Sequence, residues 1–146
     1  MTSLALAVAL QAAVATTGAH NYSDAYKQMS ESGKPLVVLV GADWCPGCRT
    51  MKQASIPQVE KKGALKPVAF ATVNTDHDSA LSQKLMSGGS IPQLIMYYKS
   101  TTGWKRKALV GAQSPAQIES FINQGLASHA QAAAPATVQA SATPGR

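Results

Sequence analysis

Apolar positions change their spacing along the chain, and each change marks an element. Tyr22, Ala25, Tyr26 and Met29 recur at the three-to-four interval of one helix face, with Ser23 or Asp24 as N-cap and Gly33 and Pro35 as the stop. Residues 36–40 are uninterruptedly apolar, with valines that would point to both faces, as a strand covered by helices on both sides requires. This predicts the central strand. Arg49, Met51 and Lys52 continue as a helix that Pro57, lacking a backbone donor, should bend or break near Ser55 and Ile56. Residues 68–73 alternate loosely as a second strand between Pro67 and the turn Asn74-Thr75-Asp76. Strand, helix and strand in one sheet imply a right-handed parallel crossover.

Asp78 or Ser79 can cap a further helix with Leu81 and Leu85 on one face and Gly88-Gly89 at its end. Residues 93–98 and 104–110 read as an antiparallel hairpin joined by Ser100-Thr101-Thr102-Gly103. Ser114-Pro115-Ala116-Gln117 has an N-cap, a first-turn proline and the glutamine of a capping box, and Ile118, Phe121 and Ile122 form the buried stripe before Gly125 stops the helix. The pattern is α/β, a mixed sheet of four or five strands flanked by helices. No internal repeat is visible.

Three regions differ in composition. Residues 1–19 hold an apolar run over 4–14 broken only by Gln11, followed by small residues where a signal peptidase could cut, which predicts an export signal. No Lys or Arg precedes Lys27, so the basic start of such a signal is missing, and an uncleaved hydrophobic anchor or a soluble extension are the alternatives. Residues 20–127 form the globular domain, and 128–146, rich in Ala, Pro, Ser and Thr, read as a disordered tail. The net charge of +6 is scattered apart from Lys105-Arg106-Lys107, which reads as an edge strand guarded by charge, so no nucleic-acid partner is expected.

The candidate chemistry lies just after the central strand. Cys45 and Cys48 are the only cysteines, separated by Pro46 and Gly47 where a helix opens. At this spacing they can close into a disulfide and reopen, which is redox chemistry rather than scaffolding. Unsatisfied N–H groups at the helix start would face the Cys45 sulfur and suit an anionic nucleophile. Cys48, one turn on, would attack the mixed disulfide formed by Cys45, and burial should raise its pKa.

Trp44-Cys45-Pro46-Gly47-Cys48 after an apolar strand, with Ser90-Ile91-Pro92-Gln93 further on, resembles the thioredoxin superfamily. Gly33-Lys34-Pro35 and Gly41-Ala42-Asp43 bring the pattern nearest to periplasmic thioredoxin-like domains such as the C-terminal domain of bacterial thiol transporters. The resemblance implies a thioredoxin fold with a cis Ile91-Pro92 bond facing the cysteines. It also implies an Ile91 backbone that pairs with extended substrate, and Trp44 as an apolar platform beside the nucleophile. Asp43 either caps the helix or is solvated. The family's buried Asp, six residues before the nucleophile, is Leu39 here, and its accompanying Lys aligns with Thr72. Deprotonation of Cys48 would then rely on water or on Cys45.

The expected function is protein thiol–disulfide exchange, with cysteine-containing protein substrates and a thiol electron donor of unknown identity. No cofactor is expected beyond the Cys45-Cys48 disulfide itself. The absence of a His between the cysteines favours a reductant. An oxidase or isomerase of the same fold, or a non-catalytic or metal-carrying binding module, are the alternatives. Cys45, Cys48 and His77 would suit zinc or copper, but His77 lies beyond the second strand, so no metal site is expected. His20 and His129 are expected to be solvated in flexible ends. A monomer in the periplasm or another exported location is expected, with the cytoplasm as the alternative.

Overall fold

Leu36–Gly41 forms β1, whose side chains alternate between two apolar layers. Leu36, Val38 and Val40 enter one layer with Ala25, Ala71, Val73, Leu85 and Ile95; Val37 and Leu39 enter the other with Met51, Ile56, Val59, Ile118 and Ile122. Period-two alternation of apolar side chains on both faces is why this stretch is a strand and an interior one. Full burial of each large aliphatic side chain contributes about 1.5–3 kcal/mol, and residues 36–40 are all buried. A computed structural model describes residues 20–135. The predicted export signal at 1–19 and the end of the predicted tail, 136–146, lie outside them.

The strand order is β2-β1-β3-β4, with β2 at Ala69–Asn74, β3 at Gln93–Ser100 and β4 at Gly103–Val110. β2 runs parallel to β1, while β3 is antiparallel to β1 and β4 to β3. Helices α1 (Tyr22–Ser32) and α4 (Ser79–Leu85) cover one face of the sheet. On the other lie α3 (Ile56–Lys61), reached from α2 (Pro46–Thr50), and α5 (Pro115–Ala133).

Several boundaries differ from the sequence expectation, each for a local reason. The N-cap of α1 is Asn21, whose side chain accepts the Ser23 N–H at 2.7 Å, ahead of the expected Ser23 or Asp24. Pro57 does not end its helix. The chain widens into a π-turn over Met51–Ser55, in which Ile56 N–H reaches back five residues to the Met51 carbonyl and makes room for the proline. α4 ends at Leu85, before the glycines. The hairpin loop is shorter than expected, because β3 and β4 stay paired out to Ser100 and Gly103 and the Ser100 hydroxyl donates to the Gly103 carbonyl at 2.9 Å.

Gly125 does not stop α5. The absence of a Cβ lets the helix press directly on Met96 of β3, so this glycine is a packing residue. Alanines beyond it favour helix, and His129 Nδ1 accepts the Lys99 N–H at 3.3 Å, fastening the added turns to the sheet. Residues 128–133 are therefore helical where a disordered tail was expected.

Candidate active site

β1 ends at Gly41, and Ala42, Asp43 and Trp44 turn the chain into α2. Cys45 is the N-cap, with extended backbone, and its sulfur accepts the Cys48 N–H at 3.3 Å. The Cys45 carbonyl takes the first helical bond from Arg49 N–H at 3.0 Å, and Pro46 occupies the first turn, where its missing donor costs nothing. The sulfur thus occupies the place usually held by a serine or aspartate oxygen. Both cysteines are buried and free.

Cys48 lies deeper. Burial pushes its thiol up to about 11, a hydrogen bond with Cys45 adds to the rise, and a backbone bond at Ala42 opposes it. A Cβ on Gly41 would stand 2.8 Å from the Cys48 sulfur, so only glycine leaves the thiol room against the end of β1. Behind Cys48 lies a cavity of about 270 Å³ whose walls include Leu39, Thr72, Asp43 and Lys52. Leu39 and Thr72 bring no ionisable group to it.

Pro92 is cis to Ile91, and its ring comes against Gly47: a Cβ there would lie 3.5 Å from the proline Cδ. The Ile91 side chain packs on Ala42, Cys45 and Cys48, and its carbonyl stands 4.0 Å from the Cys45 sulfur. Sequence-distant residues Ile91 and Pro92 are thereby brought together with Cys45, Gly47 and Cys48.

Trp44 is 66% exposed, and its indole N–H donates to the Asp76 carboxylate at 3.0 Å. Asp43 does not cap α2 and is exposed, as the solvated alternative has it. Its carboxylate accepts the Asn74 side-chain amide at 3.0 Å and faces the Lys52 ammonium at 3.7 Å, joining the turn to β2 and the helix. Asp76 and the fully buried Gln93, whose side chain grips the loop before β3, escaped the sequence reading. A glutamine opening an otherwise apolar strand was the available signal for Gln93; nothing marked Asp76 beyond its place in a turn.

His77 is exposed, and among the described residues no group of three or more His, Cys, Asp or Glu side chains could hold a metal ion. His20 and His129 are not loose ends. The His20 ring meets Phe70 edge-on at 4.7 Å and its carbonyl accepts the Thr72 N–H at 2.8 Å, while His129 holds Lys99 as described above. Lys107 of the basic run lies over the Phe121 ring at 4.3 Å. No helix among the described residues is long and apolar enough to cross a membrane.

A family model described as thioredoxin-like matches residues 16–99. A thioredoxin of Coprinus comatus is 30% identical over 104 residues, spanning 71% of this chain and 92% of that protein. Among solved structures, Trxlp of Edwardsiella tarda EIB202 is 31% identical, with a TM-score of 0.54 over 70% of this chain and 95% of that one. A thioredoxin of Thermus thermophilus, at 18% identity, shares the fold with a TM-score of 0.59 over 71% and 82% of the two chains.

Proposed function

The chain belongs to the thioredoxin superfamily, and from that premise we propose that it is a thiol–disulfide oxidoreductase that reduces disulfides in protein substrates. One observation carries the reading. A helix-capping cysteine sulfur sits beside an open peptide carbonyl, with a second thiol one turn behind it.

Cys45, as thiolate, attacks a substrate disulfide; one substrate sulfur leaves as thiolate and a Cys45–substrate disulfide forms. Cys48 gives its proton to water and attacks the Cys45 sulfur. The second substrate thiolate departs, and the two electrons that reduce the substrate leave a Cys45-Cys48 disulfide. A thiol donor then restores the pair. Trp44 and Ile91 lie where an extended substrate would run, and Pro92 and Gly47 shape the floor between them. With Pro46-Gly47 between the cysteines, no imidazole stands by to hold a thiolate, which favours reduction over oxidation. The apolar run over residues 4–14 supports an exported setting as part of this proposal.

The test is reduction of insulin with dithiothreitol as donor. Wild type should accelerate it, Cys45→Ser should return it to background, and Cys48→Ser should accumulate mixed disulfides through Cys45. No acceleration by wild type, or capture through Cys48 instead, overturns the reading.

A further inference from the structure

The loop between α4 and β3 delivers Ile91 to Cys45, yet it is poorly equipped to hold a shape. Gly88 and Gly89 sit in it, exposed and without neighbours within 4 Å of where a Cβ would be, and Gly88 has φ of 75°. Two glycines carry more backbone freedom than any other pair, so ordering this loop has a high entropic cost. Among the described residues, the hydrogen bonds of residues 87–90 all go to one side chain, that of Gln93.

Gln93 opens β3 in the sheet interior, where it pairs with Val40 on one side and Val110 on the other, and it is fully buried. Its Oε1 accepts the Ser87 N–H at 3.2 Å, and its Nε2 donates to the Ser87 carbonyl at 3.0 Å and to the Ser90 carbonyl at 2.9 Å. The first two bonds pair a side-chain amide with both polar groups of one peptide residue, as a neighbouring strand would. The third fixes the residue directly before Ile91. A hydroxyl, a carboxylate or an apolar group cannot supply one acceptor and two donors at this reach.

We propose that Gln93 is a positioning residue for substrate: its amide clamps the Ser87 and Ser90 ends of the loop so that the Ile91 backbone is already set beside Cys45 when an extended, cysteine-containing chain arrives. The inference rests on the oxidoreductase reading above and adds where its substrate affinity comes from. Gln93 touches neither sulfur. Removing its amide should weaken binding of protein substrates, because the loop must then be ordered at the moment of binding, while the cysteine chemistry stays intact.

Two measurements test this, one of them on the unaltered protein. In reduced wild type, amide exchange at Ser87 should be slow, like that of the β3 amides, while Gly88 and Gly89 exchange freely; equally fast exchange at Ser87 overturns the clamp. In Gln93→Met, which keeps the reach without the hydrogen bonds, Ser87 protection should vanish. KM for insulin should then rise about three- to tenfold, the equivalent of one lost hydrogen bond, with kcat and the rate of Cys45 alkylation by iodoacetamide within about twofold of wild type. Active wild type with an unmoved KM in the variant, or alkylation that falls in step with turnover, overturns the inference alone. Wild type that reduces no disulfide overturns the oxidoreductase reading on which it rests, whatever Ser87 does.

Discussion

Cys45 and Cys48 stand one helical turn apart in one buried cluster, and the chain builds different surroundings for them. Around Cys45, besides the apolar Ile91 and Ala42, stand a helix N–H at 3.3 Å, the Ile91 carbonyl at 4.0 Å and an exposed Trp44 alongside. Around Cys48 they are close, with Gly41 cut back to admit the sulfur and Leu39 where a carboxylate could have stood, and the charged Asp43 and Lys52 enter only the cavity behind it. The difference teaches that position on the helix divides the labour between two identical side chains. Under the proposed function the outer sulfur would meet a substrate, while burial holds the inner thiol protonated near neutrality.

The strongest way to break this contrast is to fill the space kept for Cys48. Gly41→Ala would place a methyl group 2.8 Å from the sulfur and 3.0 Å from its Cβ, so one of them must move. A loss of about 1–3 kcal/mol of stability is expected in urea denaturation of the reduced protein, together with altered closure of the disulfide. An unchanged midpoint and unchanged closure would mean that the inner thiol is not tightly seated.

A second effect concerns pH. Because burial holds the Cys48 proton up to about 11 against an ordinary 9.0, the folded reduced protein binds it more tightly than the unfolded chain does. Stability from this source is complete below 9.0 and is lost as pH climbs through about 11. Denaturation of reduced wild type against Cys48→Ala should reveal it, with wild type losing ground only across that window. Closure of a Cys45 mixed disulfide by Cys48 should quicken about tenfold per pH unit above neutrality, following the thiolate fraction. A flat profile there would remove the distinction between the two sulfurs.

The smallest effect sharpens the outer half of the comparison. Asp76→Ala removes the acceptor of the Trp44 indole at an exposed site, where a cost of about 0.5 kcal/mol or less is expected. Measured in a Trp104→Phe background, Trp44 fluorescence should shift while Cys45 alkylation changes by less than about twofold.

What the chain discloses before folding follows the range of the interactions involved. The cysteine pair, the buried valine strand and the Ser114-Gln117 capping box are local in sequence, and each was legible. Pro92 was placed facing the cysteines by resemblance alone, since its partners, Gly47 among them, lie far upstream. Gln93 and Asp76 act on loops that no periodicity describes, and their roles exist only once those loops are folded. Asp43 was ambiguous because its true partners, Asn74 and Lys52, come from a strand and a helix that meet only in space. Gly125 misled because a glycine that ends a helix and one that lets a helix lie flat on a sheet are the same letter.

That glycine also offers a handle on the protein's working temperature. Met96, beneath it, pairs with Val37, toward the end of β1 remote from Gly41 and the sulfurs. A methyl at 125 would meet the flexible end of the Met96 side chain, which must move aside inside the buried layer, away from the thiols. The expected product is a form that melts at a lower temperature, its loss set by how far Met96 can shift, with the cysteine site left as it was.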